Sequence, residues 1–202
     1  MLGVRQTLGV PTHVALLRGI NVGGRNRVAM TDLRAVVISL GHTDVATYIQ
    51  SGNVVFSSGE PDTAAIAAAL ERAIAEALAV APRVVVLSRE ELSQVVADNP
   101  YPDETNPRYL HAAFIAEWIG PDQLAVIATA QQRAGDKGSR DEATVVGRTL
   151  FLHTPGGIGR SELAAQLART GGLLAATGSA TMRNWATVTK LLDMCRSSRA
   201  LS

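Results

Sequence analysis

"THVALLRGINVGGRNRVAMTDLRAVVISLG", residues 12–41, predicts a buried strand, a polar loop and an amphipathic helix in succession. The apolar run at 12–19 is typical of a buried strand. Apolar residues then recur at helical spacing, and Gly41 is suited to end that helix. The helical stripe consists of Leu33, Val36, Val37 and Leu40. This stretch therefore indicates a fold that mixes strands and helices from its start.

The rest of the first half continues the alternation of strands and helices. The segments at 44–51 and 53–58 have strand-like patterns, and Gly52-Asn53 between them suits a tight turn with positive φ. A helix, a strand and one more helix follow, predicted at 62–79, 83–88 and 88–100. The order β-α-β-β-α-β is that of a split βαβ unit, in which helices cover one face of an antiparallel sheet.

The second half repeats this order of elements without repeating the residues. A polar, turn-rich segment at 99–108 separates the two halves. The predicted elements after it are a strand at 109–117, a helix at 121–133, a hairpin around Gly147-Arg148, a helix at 161–169, a weak strand within 173–182 and a last helix at 184–195. Trp185 lies on the apolar stripe of this last helix, which favours a place in the core.

We therefore predict an α+β fold of two tandem ferredoxin-like (split βαβ) units, each with an antiparallel sheet and one extra helix after it. The predicted division is a flexible N-terminal extension at 1–11, a first unit at 12–98, a linker at 99–108 and a second unit at 109–202.

The charge, the apolar runs and the cysteine content of the chain limit the kinds of ligand and partner that it can bind. The net charge is +1, so the chain as a whole has no strong attraction for nucleic acid or an anionic membrane, and any anion site must be local. We find no signal peptide and no apolar run long enough for a membrane helix. Cys195 is the single cysteine, which excludes an internal disulfide. We expect a cytoplasmic protein, either a monomer or a homodimer.

The loop after the first strand has the ingredients of an anion site. Glycines let a ligand approach the backbone closely, the following helix offers its positive end, and arginines can bind phosphate or carboxylate. Neither the GxxxxGK[ST] phosphate loop nor the GxGxxG dinucleotide motif is present. The alternative is an ordinary strand-to-helix connection, with glycines for positive φ and arginines for solubility.

Three other segments carry candidate polar residues. Asn53 follows a hairpin turn that the topology places beside the first loop, because the end of the first strand lies near the start of the third. Ser161 can cap a helix, and Asn184 can cap the last one. For each segment the alternative is turn or capping chemistry alone.

Four blocks carry a family resemblance: VALLRGINVGGRNRVAMTDLR, TYIQSGNVVF, GIGRSEL and RNWATVTKLL. They resemble the signature blocks of the bacterial family called domain of unknown function 1697. The resemblance implies two ferredoxin-like units in tandem and implies no reaction. Three residues depart from the family pattern: Arg25, Glu162 and Ala186.

The candidate ligand-binding residues lie in these blocks. They are Arg18, Gly19, Asn21, Gly23, Gly24, Arg27, Ser51, Asn53, Arg160, Ser161, Arg183 and Asn184.

The sequence contains few patterns that are typical of a catalytic site. The histidines show no metal-ligand spacing, no motif for a cofactor is present, and Cys195 lies on an apolar stripe typical of an inert buried thiol. We therefore expect no metal and no cofactor.

Three functions remain open: binding of a small phosphorylated or nucleotide-like ligand, an enzyme acting on a phosphorylated metabolite, or a purely structural or partner-binding role. Nucleic acid is possible but not favoured, because aromatic residues make up only 4% of the chain.

Overall fold

The computed structural model describes residues 9–169, 173–174 and 180–197. Within this part of the chain it shows two four-stranded antiparallel sheets and six α-helices. The predicted α+β class is therefore confirmed.

The first sheet has the strand order β2-β3-β1-β4, with every neighbouring pair antiparallel. The elements of this part are β1 (His13–Arg18), α1 (Met30–Ser39), β2 (Thr43–Tyr48), β3 (Asn53–Ser57), α2 (Thr63–Leu78), β4 (Arg83–Ser88) and α3 (Arg89–Ala97). Apolar side chains of β1, β3 and β4 form a buried cluster with α1 and α2. In β1 the central position and full burial agree with its uninterrupted apolar run.

Two helices of this part, α2 and α3, begin at residues whose side chains cap them. The Asp62 carboxylate accepts hydrogen bonds from the first-turn amides of α2. Ser88 and Glu91 form a reciprocal capping box: the Glu91 amide donates to Ser88 Oγ, and the Ser88 amide donates to Glu91 Oε2. The strand β4 therefore passes into α3 without a linker.

The second sheet has the order β6-β7-β5-β8, again antiparallel throughout. Its part of the chain contains β5 (Leu110–Ile115), α4 (Pro121–Gly135), β6 (Glu142–Val146), β7 (Thr149–His153), a 3₁₀ turn (Ile158–Arg160), α5 (Glu162–Leu167), β8 (Ala180–Asn184) and α6 (Trp185–Met194). Its core cluster includes Leu163 and Leu167 of α5.

The contacts between residues divide the chain into two compact units. The first contains the described residues of Met1–Ser93 and of Lys190–Ser202, and the second contains Gln94–Thr189. Both boundaries fall inside helices, α3 and α6. The division predicted from the sequence placed the end of the chain in the second unit, with a linker at 99–108, and it stays a prediction.

Two predicted segments gain detail from the structure. In the predicted extension, whose flexibility stays a prediction, the Gly9 amide donates to Asp44 and Ser57 Oγ donates to Val10 O. The remainder of the predicted extension lies outside the described residues. The weak strand predicted within 173–182 is seen as β8, which starts at Ala180 and runs on through Asn184, and residues 175–179 are not described.

Within the described residues, no helix combines the length and the apolar character needed to span a membrane.

Candidate functional site

The loop after β1 is a miniature hairpin. The Asn21 amide donates to Asn26 O at 3.0 Å, and the Arg25 amide donates to Val22 O at 3.0 Å. Gly23 and Gly24, with φ of 58° and 77°, form the two-residue turn at its tip, which is the geometry of a type I′ turn. The amides of Asn21 and Arg25, which the sequence analysis considered available to a phosphate, thus donate to carbonyl groups within the loop.

Asn21 holds this hairpin to its surroundings with three hydrogen bonds. Its Nδ2 donates to Val28 O and to Gln50 O, both at 2.9 Å, and its Oδ1 accepts from the Val28 amide at 2.9 Å. The backbone at Asn21 is left-handed (φ 55°), a conformation that asparagine adopts more readily than most residues. Asn26 adds one further bond, from Nδ2 to Gly19 O at 2.8 Å.

The turn between β2 and β3 lies against the hairpin, as the topology predicted. The Asn21–Gln50 bond joins the two segments directly, and the Leu17 amide donates to Gly52 O at 2.8 Å. Asn53 is fully buried, and its Nδ2 donates to Tyr48 O and Ser51 Oγ. A ligand in solvent therefore does not reach Asn53, whose side chain positions the turn.

An open cleft of about 660 Å³ lies between the hairpin, the β2–β3 turn and the start of α1. Arg27 supplies a cation to its wall and Asp32 a carboxylate. Gly24 also lines the cleft, and the space above its Cα is open, since an added Cβ would meet no atom within 4 Å. The first turn of α1 has no side-chain cap. The other lining residues are Asn21, Val28, Ala29 and Gln50.

Arg18 and Ser51 do not line this cleft. Arg18, half-buried, ends β1 and is opposite Arg83 of β4. Ser51 is exposed, and its hydroxyl accepts the Asn53 bond. The structure thus gathers eight of the predicted candidates, from Arg18 to Asn53, at one end of the first sheet. The charged residues that line the cleft there are Arg27 and Asp32.

The candidates Arg160 and Ser161 lie in the second unit, after β7. Ser161 is buried, and its hydroxyl is fully used: it accepts from the Ala164 amide and donates to Asp141 Oδ2 at 2.8 Å. Arg160 is exposed, but Asp141 and Glu162 put two carboxylates beside the segment. This arrangement caps α5 and does not favour an anion.

Arg183 and Asn184 occupy the end of β8, where the sequence placed the opening of the last helix. Asn184 Oδ1 accepts from the Thr187 amide at 2.9 Å and so caps α6. Arg183 donates to Met182 O, and burial lowers the pKa of its guanidinium to about 10. Trp185 is half-buried against Phe151, with ring centroids 5.9 Å apart. These contacts are structural.

Sequence patterns missed four residues that line the cleft. They are Val28, Ala29, Asp32 and Gln50. In the sequence, Asp32 lies near a helix start, where a carboxylate is favoured by the helix dipole, and Gln50 belongs to no motif. The hydrogen bond between Asn21 and Gln50 brings these two residues together, and that contact exists only in the folded chain.

Cys195 is fully buried in the first unit, and burial raises the pKa of its thiol to about 12. We expect the native protein to react negligibly with an aromatic disulfide reagent near neutral pH, because the thiolate is the reacting form. Denaturation should release one thiol per chain. Rapid titration of the native protein would contradict the buried placement.

Glu104 Oε2 lies within hydrogen-bond distance, 2.8 Å, of His153 Nε2 in the second unit. A hydrogen bond from the Asn106 amide, followed by the bond to His153, lowers the pKa of Glu104 from its ordinary 4.5. The ionised carboxylate therefore stabilises the fold above that value, and this contribution is lost as pH falls through the lower pKa of the folded state.

Glu104→Gln tests this linkage. We expect the variant to unfold at a lower temperature than the wild type at about pH 5.5, and the difference to close towards about pH 3. The measurement is a series of thermal unfolding curves over that pH range. A difference independent of pH would show that the carboxylate charge has no part in stability.

A metal centre finds no support among the described residues, which contain no group of three or more histidine, cysteine, aspartate or glutamate side chains placed to hold an ion.

A model of the family described as "Protein of unknown function (DUF1697)" matches residues 10–151. That range includes the hairpin and the β2–β3 turn but not the segments at 157–161 and 183–184. No curated protein matches the chain significantly.

One solved structure is similar over nearly the whole chain. It is described as the structure of the conserved bacterial protein SP0830 from Streptococcus pneumoniae. The two sequences are 26% identical, the match covers 92% of this chain and 98% of the other, and the TM-score is 0.68.

Proposed function

Because the chain belongs to the DUF1697 family, which is described as of unknown function, we propose its function from the site itself: the cleft beside the hairpin binds a small anionic ligand. The observation that carries this proposal is the placement of Arg27 and the open backbone at Gly24 on one cleft. Its volume, about 660 Å³, lies within the range of small-molecule sites.

The local electrostatics support an anion at the Arg27 end. A guanidinium offers paired donors to phosphate or carboxylate. Arg25, exposed on the same hairpin, adds a second cation nearby. The first-turn amides of α1 have no side-chain cap, so they add partial positive charge at the wall of the cleft. Three hydrogen bonds of the Asn21 side chain fix the hairpin backbone, so the backbone that carries Arg25 and Arg27 is positioned before a ligand binds.

We further propose that each sheet with its helices is a ferredoxin-like unit. The order β2-β3-β1-β4, its repetition as β6-β7-β5-β8 and the antiparallel pairing throughout support this assignment. In such a unit the connection after the first strand and the turn between the second and third strands share one end of the sheet. The cleft occupies that end in the first unit.

A nucleic acid is a poorer match than a small ligand. Ferredoxin-like sheets that bind RNA present aromatic side chains for stacking. Here Phe56 of β3 is fully buried and packs in the core. The net charge of +1 supplies no broad electrostatic attraction.

The test is titration of the protein with ribose 5-phosphate, followed by amide NMR shifts or calorimetry. We expect shifts at Gly24, Arg27 and Val28 in the wild type, and Arg27→Ala should weaken binding about tenfold or more. Arg72→Ala is the matched control, because Arg72 is exposed on α2 and does not line the cleft. Absence of binding, or equal loss in both variants, would reject the cleft as an anion site and favour a purely structural hairpin.

A further inference from the structure

A second cavity, of about 390 Å³, lies in the first unit, where α3 begins and α6 ends. It is at the opposite end of the first sheet from the hairpin, because His13 at the start of β1 pairs with Ser88, the residue before α3. Two arginines from distant parts of the chain line it, Arg89 and Arg196. Its volume falls within the range of small-molecule sites. The remaining lining residues are Val10, Glu90, Ser93 and Cys195.

The guanidinium of Arg196 is held at this cavity by a neutral partner. Its Nη2 donates to Ser93 Oγ at 3.1 Å, and Ser93 belongs to the same lining. Among the residues that the structure describes, no carboxylate forms an ion pair with Arg196. A guanidinium carries several further N–H donors beyond the one that Ser93 accepts, and these suit the oxygens of an anion. Arg196 therefore brings an uncompensated positive charge to the cavity.

Arg89 is paired with its neighbour in the chain, Glu90. Its Nε and Nη2 both donate to Glu90 Oε1, at 3.1 Å and 2.9 Å. Burial raises the pKa of the Cys195 thiol, and the charge of Arg89 lowers this pKa while that of Glu90 raises it, so both charged groups lie near a residue of the cavity wall. An ion pair between partly exposed side chains is weak. Glu90 is therefore an internal anion on Arg89 that a more highly charged anion can displace.

We infer that the second cavity is a phosphate site, in which Arg89 and Arg196 together bind a phosphate dianion. Two guanidinium groups and one carboxylate leave its lining with a net charge of +1, so an anion is favoured there. A phosphate has enough oxygens to accept from both arginines, and its second charge gives it an advantage over the Glu90 carboxylate that a simple carboxylic acid lacks. This site is separate from the cleft at Arg27 and does not depend on it.

The experiment titrates the full chain with inorganic phosphate at about pH 7.5 and constant ionic strength, and follows amide NMR shifts. We expect saturable shifts at Glu90, Ser93 and Arg196, and acetate should bind about tenfold more weakly. Arg196→Gln should weaken phosphate binding at these amides about tenfold, because it removes a charged donor. Arg72→Gln is the matched control, because Arg72 is exposed on α2 and lines neither cavity.

Glu90→Gln gives a change of the opposite sign. It removes the carboxylate that occupies Arg89, so phosphate should bind about threefold more tightly. A pair of arginines with a purely structural role would show no such gain. Weaker or unchanged phosphate binding in Glu90→Gln would contradict the displacement of Glu90 by the ligand.

The outcomes separate this inference from the proposed function, because the amides of Gly24 and Val28 report on the cleft beside the hairpin. Phosphate shifts confined to those two amides overturn the second site and leave the first standing. Equal effects of Arg196→Gln and Arg72→Gln, or shifts that never saturate, also overturn the second site. Shifts at Ser93 and Arg196 that persist in Arg27→Ala support it, whatever happens at the cleft. A folded spectrum for each variant, recorded beforehand, distinguishes loss of structure from loss of contact.

Discussion

Gly52→Ala should destabilise the first unit by about 3 kcal/mol. Gly52 has φ of 76°, and alanine pays on the order of 1–2 kcal/mol for that conformation. The added Cβ would also stand 2.8 Å from Leu17 Cβ and 2.8 Å from Ile20 Cδ1. Leu17 Cβ is fixed to the backbone of the central strand, so it cannot move aside cheaply. Urea unfolding followed by far-UV circular dichroism should show a midpoint lower by about 1–2 M.

Gly24→Ala is the matched comparison for this prediction. Its φ of 77° is nearly the same, and an added Cβ there would meet nothing within 4 Å. We expect a loss of only about 1 kcal/mol, from conformation alone. Equal losses in the two variants would show that crowding against Leu17 and Ile20 has no cost, contrary to the packing described.

Asn21→Ala is expected to release the hairpin and lower stability by about 2 kcal/mol. The substitution removes three hydrogen bonds at 2.9 Å and leaves alanine in a left-handed conformation that asparagine tolerates better. Hydrogen exchange of the Val28 amide should quicken, because that amide donates to Asn21 Oδ1. Binding of ribose 5-phosphate should weaken as well, since the cleft loses the bond that joins its two loops.

Two variants calibrate this result. Asn26→Ala removes one side-chain bond at a similar φ of 49°, so it should cost roughly half as much. Asn21→Asp keeps the acceptor for the Val28 amide but loses both donors. It should therefore preserve protection of Val28 while separating the hairpin from the β2–β3 turn. Unchanged exchange at Val28 in Asn21→Ala would contradict the bracing role.

Local sequence signals were sufficient for most of the first unit. The apolar run of β1, the caps at Asp62 and Ser88 and the Gly52 turn each act within a few residues, so the pattern and the structure agree. The placement of residues 9–11 could not be predicted in this way. Their partners, Asp44 and Ser57, are distant in sequence, and their contacts arise only when the strands assemble.

Of the residues that form the candidate site, the sequence predicted only those of the polar loop after β1. Topology correctly brought the hairpin and the β2–β3 turn together, because antiparallel pairing fixes which strand ends meet. Gln50 has no sequence signature, because its backbone oxygen joins the site only through the hydrogen bond from Asn21, 29 residues away. Ser161 and Asn184 have polar side chains that could bind a ligand, but in the folded chain both side chains accept hydrogen bonds from helix amides and so act as caps.

The hairpin after β1 also bears on how this family can diversify. Its backbone bonds run between its own strands, Asn21 ties it to the neighbouring turn and to Val28, and Asn26 ties it to Gly19. Residues at its tip can therefore change without disturbing the sheet beneath. A library that varies Val22, Arg25 and Arg27 while keeping Asn21, Gly23, Gly24 and Asn26 would change the exposed side chains of the hairpin and leave its hydrogen bonds in place.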